Sequence, residues 1–225
     1  MRRNEIFSYT AIYNYSENGH NLMFAVNMCY NLPEVDMERE VMWVSLDEQK
    51  FEHLRVKNKK DGILADGMII HLNSNNSYRI RYRIQCDSAW QVRKVEMSRL
   101  DESDLSFVWH SDGNGHWMNN QSDAIPALDG CRDIDIYYSP FTNTLAIRRL
   151  GLNQGESAEI NAAFIAVPEM TVSAVCQRYT CLDSTPEGGV YRYESLASGF
   201  TAELPVDSDK LLIEYPRFFK RMWAR

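Results

Sequence analysis

Asp133 and Asp135, in Gly130-Cys131-Arg132-Asp133-Ile134-Asp135-Ile136, are the carboxylates of this chain best spaced for acid–base chemistry. On a β-strand, residues i and i+2 share a face and lie about 7 Å apart. That separation suits an inverting glycosidase, in which one carboxyl protonates the leaving oxygen and the other activates water. The same spacing also fits a structural role. Ser139-Pro140-Phe141-Thr142 reads as a tight turn with Pro140 preset at its first central position. A return strand then sets Asp133 opposite Arg148, or opposite Arg149 if the loop is one residue longer. Such a cross-strand ion pair contributes a few tenths to about 1 kcal/mol where exposed. The ion pair is the more economical reading, because a catalytic pair also needs perturbed carboxyls in a cleft.

A second group is Arg79, Arg81 and Arg83, alternating with Tyr78, Ile80, Tyr82 and Ile84 along Ser77–Gln85. Strict period two puts the three guanidinium groups on one strand face. They are either a solvated face whose stems lie on apolar neighbours or, on a concave face, a forked site for phosphate or carboxylate. The chain holds 12 Tyr, 9 Phe and 5 Trp. Most belong in a β core, but Tyr137, Tyr179, Tyr191 and Tyr193 stand beside polar residues and have the shape to stack on sugar rings. No metal or cofactor is expected. Asp112-Gly113-Asn114-Gly115-His116 begins like a calcium loop, yet Trp117 occupies the position that requires glycine. His110 and His116 lack a third ligand at useful spacing. Cys176 and Cys181, five apart, face opposite ways on a strand. The sequence has no Gly-rich phosphate loop, nucleophile elbow or paired-His zinc helix.

The elements that carry these residues read as short strands separated by turns from about residue 41 onward. Val41–Leu46 and Phe51–Val56 flank a polar link, and Ile63–Leu72 follows. Leu105, Phe107 and Trp109 alternate with Ser106, Val108 and His110 before a hairpin turn at Asp112–Gly115. The series continues through Ile134–Tyr138, Leu145–Leu150, Glu159–Val167, Met170–Leu182, Val190–Glu194, Phe200–Leu204 and Leu211–Tyr215. Helix is expected only in short pieces, at Leu32–Glu40 and Pro216–Trp223, each with proline suited to a first turn. Phe218–Trp223 is apolar and basic together, and is expected to pack over an open barrel end. A dozen or so strands do not lie flat in one sheet. The expected fold is therefore mainly β, a strongly curled antiparallel sheet or partly open β-barrel or β-roll with few short helices. Residues 1–38 read as an N-terminal extension and residues 39–225 as one β domain.

Composition bounds the partners. The 225 residues hold 24 Lys+Arg against 31 Asp+Glu, a net charge of −7. This argues against nucleic acid and against broad electrostatic docking on anionic lipid. The best apolar run, Leu22–Tyr30, is too short to span a bilayer and wrongly flanked for a signal peptide. Five cysteines at wide, irregular spacing read as core residues of a reduced, cytoplasmic protein. Oligomeric state is not legible.

One segment carries a resemblance. Gly130-Cys131-Arg132-Asp133-Ile134-Asp135, Pro140-Phe141-Thr142-Asn143-Thr144 and Ile147-Arg148-Arg149-Leu150 resemble the signature of the bacterial putative glycolipid-binding domain family, a domain of unknown function. Gln177-Arg178-Tyr179, Tyr191-Arg192-Tyr193, Gly199-Phe200, Val206-Asp207 and Tyr215-Pro216 are further matches, as is the region Val41 to Met97. Ala146 stands where the family favours proline. The likeness spans roughly residues 40 to 220 and implies a curled antiparallel sheet akin to half-open, lipid-carrying barrels.

Together these readings point to non-enzymatic binding of an amphipathic ligand, a glycolipid or other lipid, in a cavity or groove of the sheet. Arg79, Arg81, Arg83 and Arg148 are then expected at the head group. Asp133, Asp135 and Asn143 would bond sugar hydroxyls, with Tyr179 and Tyr191 as stacking surfaces. Two alternatives stay open: an enzyme acting on a glycan or related metabolite with Asp133 and Asp135 as acid and base, and a purely structural or interaction domain.

Overall fold

The computed structural model describes residues 8–17, 20–29, 38–47, 49–73, 77–101 and 105–225. The chain divides into two units, Met1–Asp36 and Met37–Arg225. In the first, β1 (Ser8–Glu17) and β2 (His20–Cys29) pair antiparallel from Ser8 opposite Cys29 to Glu17 opposite His20.

The second unit is mainly β. Seven strands follow one another as antiparallel neighbours: β3 (Glu38–Ser45), β4 (Lys50–Lys59), β5 (Gly62–His71), β6 (Tyr78–Cys86), β7 (Val92–Arg99), β8 (Ser106–Ser111) and β9 (Trp117–Asn119). The next five form a second sheet in chain order: β10 (Asp133–Ile136), β11 (Ser157–Ala166), β12 (Thr171–Thr185), β13 (Gly188–Ser195) and β14 (Thr201–Asp207). The chain then returns through β15 (Glu214–Tyr215) and β16 (Phe219–Ala224), and β16 pairs with β3 to complete a nine-stranded sheet. The hydrogen-bonded orders run open from β15 to β9 and from β10 to β14, so neither sheet closes into a barrel.

Alternation decides which face is inside. On β6, Tyr78, Ile80, Tyr82, Ile84 and Cys86 are buried and the residues between them are exposed. Register extends that inner face across Trp43 of β3, Leu54 of β4, Ile69 of β5 and Met97 of β7. β7 was not read from the sequence. A bulge sets Cys86 opposite Val92 and Gln85 opposite Lys94, leaving Arg93 as the extra residue. Inward positions Val92, Val95 and Met97 are therefore spaced three and then two, and the period is lost.

The signature segment departs from expectation. Residues Phe141–Leu150 form a helix, α1, in place of the tight turn and return strand. It is the crossover between β10 and β11, which pair in parallel, Asp133 beside Ala162 and Asp135 beside Phe164. Parallel neighbours cannot be joined by a hairpin, and a helical crossover is the usual solution. Pro140, with φ −54° and ψ −33°, is set for helix entry, and Gly151 at φ 57° ends it by donating its N–H to the Ile147 carbonyl. Every residue from Phe141 to Ile147 is buried. Phe141 and Leu145 join the core of the nine-stranded sheet, while Ala146 and Ile147 join a second core against Tyr179, Tyr191 and Leu204.

Two other helical expectations change. Phe219–Ala224 is strand β16, because its backbone completes the β3 edge. Of Leu32–Glu40, residues 32–37 lie outside the described residues, and Glu38–Glu40 begins β3. Among the described residues, no helix is long and apolar enough to cross a membrane.

Candidate functional site

Helix α1 lies on the face of the five-stranded sheet that carries Asp133 and Asp135. The register puts Ala162 and Phe164, Gln177 and Tyr179, Tyr193 and Ser195, and Ala202 on that same face. Asp133 lies under the end of the helix and Asp135 under its start. The two carboxylates thus meet different partners. Asp133, 1% exposed, receives both arms of Arg149: Nε to Oδ1 at 2.7 Å and Nη2 to Oδ2 at 2.5 Å. The arginine partner is thus Arg149, supplied by the last helical turn rather than by a strand across a hairpin.

Asp135 has no such cation. Gln177 Nε2 donates to its Oδ2 at 2.6 Å, and the Thr142 hydroxyl stands 3.4 Å from Oδ1. Burial raises its pKa above the usual carboxylate range, against the pull of Gln177 and Thr142. One side of the group remains open, because Asp135 lines a cavity of about 280 Å³.

That cavity opens beyond the first turn of α1. Tyr137, Tyr138, Ser139, Pro140 and Asn143 supply one wall, and Phe164, Tyr193, Ser195, Ser198 and Phe200 supply the sheet side. Tyr215, Phe218 and Phe219 close it from the β15–β16 hairpin. The aromatic rings form an edge-to-face wall: Tyr215–Phe218, Phe200–Phe218 and Tyr193–Tyr215 have centroids 5.4, 5.6 and 6.4 Å apart. Tyr137 and Tyr138 overlap at 3.8 Å on the opposite wall. Asn143 is held from behind. Tyr179 donates to its Oδ1 at 3.0 Å, and its Nδ2 donates to the Pro140 carbonyl at 3.4 Å. With those bonds made, its second amide hydrogen remains to be offered to the cavity.

Beneath the helix start sits Glu52 of β4, fully buried. Its Oε1 accepts from Tyr82 at 2.6 Å and from Ser139 at 2.5 Å, and its Oε2 accepts from the Phe141 N–H at 3.1 Å. No side chain caps α1 locally, so this carboxylate from another sheet meets the first orphan N–H and the positive end of the helix. Burial pushes its pKa up to about 7 in spite of these donors. Tyr82 reaches it by crossing β5 at Gly67, where a Cβ would stand 2.1 Å from the tyrosine ring.

The other expected site residues stand elsewhere. Arg79, Arg81 and Arg83 are on the exposed face of β6: Arg81 and Arg83 clasp Asp66, and Arg79 donates to the Leu100 carbonyl. Arg148 donates to the Asp209 carbonyl at 2.8 Å, with its guanidinium 4.9 Å from the Trp90 ring. Tyr179 and Tyr191 are buried in the core under α1. Of the nine expected residues, Asp135 and Asn143 line the cavity.

Tyr138, Phe164, Phe200, Tyr215 and Phe218 were not singled out as site residues, since they come from four separate stretches of chain. Glu52 did leave a signal. Period two from Leu54 and Val56 aims it inward, and an inward carboxylate in a strand pattern marks a special site.

A family model described as "Putative glycolipid-binding" matches residues 40–221. The crystal structure of a DUF1089 family protein from Pseudomonas aeruginosa is 37% identical, with a TM-score of 0.69 over 77% of this chain and 92% of that one. A β-barrel-like protein of domain of unknown function DUF1849 from Brucella abortus covers 83% of this chain and 96% of its own, at 8% identity and a TM-score of 0.46, too remote to define the fold. No curated protein matches. The span of the family match, with a solved relative at that identity, establishes that the chain belongs to the family described as putative glycolipid-binding.

Proposed function

We propose that the protein binds, without catalysis, the sugar-bearing head group of an amphipathic lipid in the cavity beside α1. The observation that carries this reading is the composition of the wall. Flat aromatic rings stand around one carboxylate, one oriented amide and the hydroxyls of Ser139, Ser195 and Ser198. Sugars present apolar C–H faces and a rim of hydroxyls, and this wall offers a partner to each. About 280 Å³ is at the lower edge of the ~300–1,000 Å³ of small-molecule sites. It suits a head group rather than acyl chains. The chains then run outward over Phe218 and Tyr137, both about two-fifths exposed at the mouth.

In this reading the ligand sits beside a helix between two open sheets, rather than in the groove of a curled sheet or partly open barrel. Asp135 and Asn143 are its polar contacts, and the arginines of β6 take no part. Catalysis by the aspartate pair is disfavoured because Asp133 is saturated by Arg149 and turned from the cavity. The test is mass spectrometry of an organic extract of the purified protein beside native mass spectrometry of the intact chain. A stoichiometric lipid lost from Asn143→Leu and Tyr193→Ala variants supports the reading. A lipid retained equally by both variants, or one with no hydroxylated head group, refutes it.

A further inference from the structure

The cavity holds one ionisable acid, and among the described residues no Lys, Arg or His lines it. Elsewhere this chain gives its half-buried and buried aspartates arginine partners. Asp133 has Arg149, Asp66 has Arg81 and Arg83, and Asp207 has Arg39 and Arg221. Glu52 lacks a cation too, but it is sealed in the core and held by three donors and a helix end. Among the described residues, Asp135 alone combines neutral protein partners, Gln177 and Thr142, with an open side on a cavity. A carboxylate drawn out of water without a counter-charge is costly, and a cation arriving from the cavity relieves that cost. The rest of the wall favours the same charge. Aromatic faces carry negative quadrupole and attract ammonium groups placed within about 6 Å of the ring. Tyr193 stands edge to face with Tyr215, and Tyr215 with Phe218, in the same cavity that Asp135 lines.

We infer that the head group carries a positively charged nitrogen beside its hydroxyls, an amino sugar rather than a neutral or phosphorylated one. The inference rests on the binding function proposed above and specifies its ligand class. An ammonium at Asp135 donates its N–H groups to the open lone pairs of the carboxylate and lies against the tyrosine wall. Phosphate there meets a like charge and no cation.

The experiment compares three probes on the full-length protein at pH 7 by calorimetric titration: octyl glucoside, octyl 2-amino-2-deoxyglucoside and the N-acetylated form of the latter. The amine form is expected to bind at least about tenfold tighter than either neutral form. Asp135→Asn should bring that ratio to about one. Phe218→Leu, at a rim position about two-fifths exposed, should reduce it while leaving apolar bulk in place. Equal affinities for the three glycosides, or a preference that survives Asp135→Asn in a folded variant, overturn the inference and leave sugar binding standing. Absence of binding by all three overturns sugar binding and the inference together.

Discussion

Glu52 and Asp135 are carboxyls with little or no water and no cation beside them, and that has consequences for stability. Because burial raises their folded-state pKa, the native state holds their protons more tightly than the unfolded chain does. Stability falls wherever the native state binds more protons, which for Glu52 is the window from about 4.5 to about 7. The loss across that window is on the order of 3 kcal/mol. Asp47 acts in the opposite sense. Lys50, with help from Ser45, holds it down to about 2, so its contribution is lost as pH falls through the acid range. Chemical denaturation against pH should therefore show maximal stability near pH 4–5 and a decline toward neutrality. Glu52→Gln should flatten that decline, and an unchanged slope in the variant would exclude Glu52 as its source. Asp133 behaves differently, being buried and bidentate with Arg149. Removing one partner strands the other charge, so Asp133→Ala should lower unfolding free energy by about 3–5 kcal/mol. Retained lipid in the folded fraction would separate that structural role from binding.

At the scale of elements, α1 decides the site. Its first turn presents Asn143 to the cavity, the entry just before it presents Ser139, and its last turn supplies Arg149 to Asp133. Two glycines support this arrangement for different reasons. Gly67 leaves room for the Tyr82 ring, whose hydroxyl holds Glu52 under the helix start. Gly67→Ala forces that ring aside and should cost about 1–3 kcal/mol by overpacking. A Cβ added at Gly151 would meet nothing within 4 Å, and its φ of 57° is the constraint. Gly151→Ala should cost only about 1 kcal/mol, through the left-handed backbone alone. Thermal melts of the two variants check the contrast; a larger loss at Gly151 than at Gly67 would contradict it.

Across the whole molecule, the clustered arginines and the candidate cavity lie apart. Arg79, Arg81 and Arg83 face outward from the nine-stranded sheet, partnered by Asp66 and a backbone carbonyl. The cavity belongs to the five-stranded sheet, the helix and the C-terminal hairpin. Replacing all three arginines by alanine should leave the amount of co-purifying lipid unchanged, whereas loss of the lipid would bring the β6 face into the site. Saturating ligand at about 100 times its Kd should add about 2.7 kcal/mol to stability, read as a rise in Tm. The matched motifs converge on this region too. Gln177, Tyr193, Phe200 and Tyr215, scattered through 39 residues of sequence, meet at Asp135 or on the cavity wall.

The sequence by itself determined those strands of the second unit that keep a regular period, because period two states which side chains share a face wherever one face is buried. β6 is the clearest case, and the turn at Asp112–Gly115 follows from residues that tolerate positive φ. It also marked Asp133 and Asp135 as facing the same way. What it did not contain was the connection between β10 and β11. Phe141–Ile147 has apolar or β-branched residues at every position but Asn143, and a segment buried all round shows neither a helical nor a strand period. Parallel pairing of β10 with β11, a contact across 29 residues, made it a helix. That one choice gave Asp133 its arginine, left Asp135 without one and opened the cavity between them and the C-terminal hairpin. Only long-range packing decides which of two like residues on one strand face is neutralised and which is left facing a cavity.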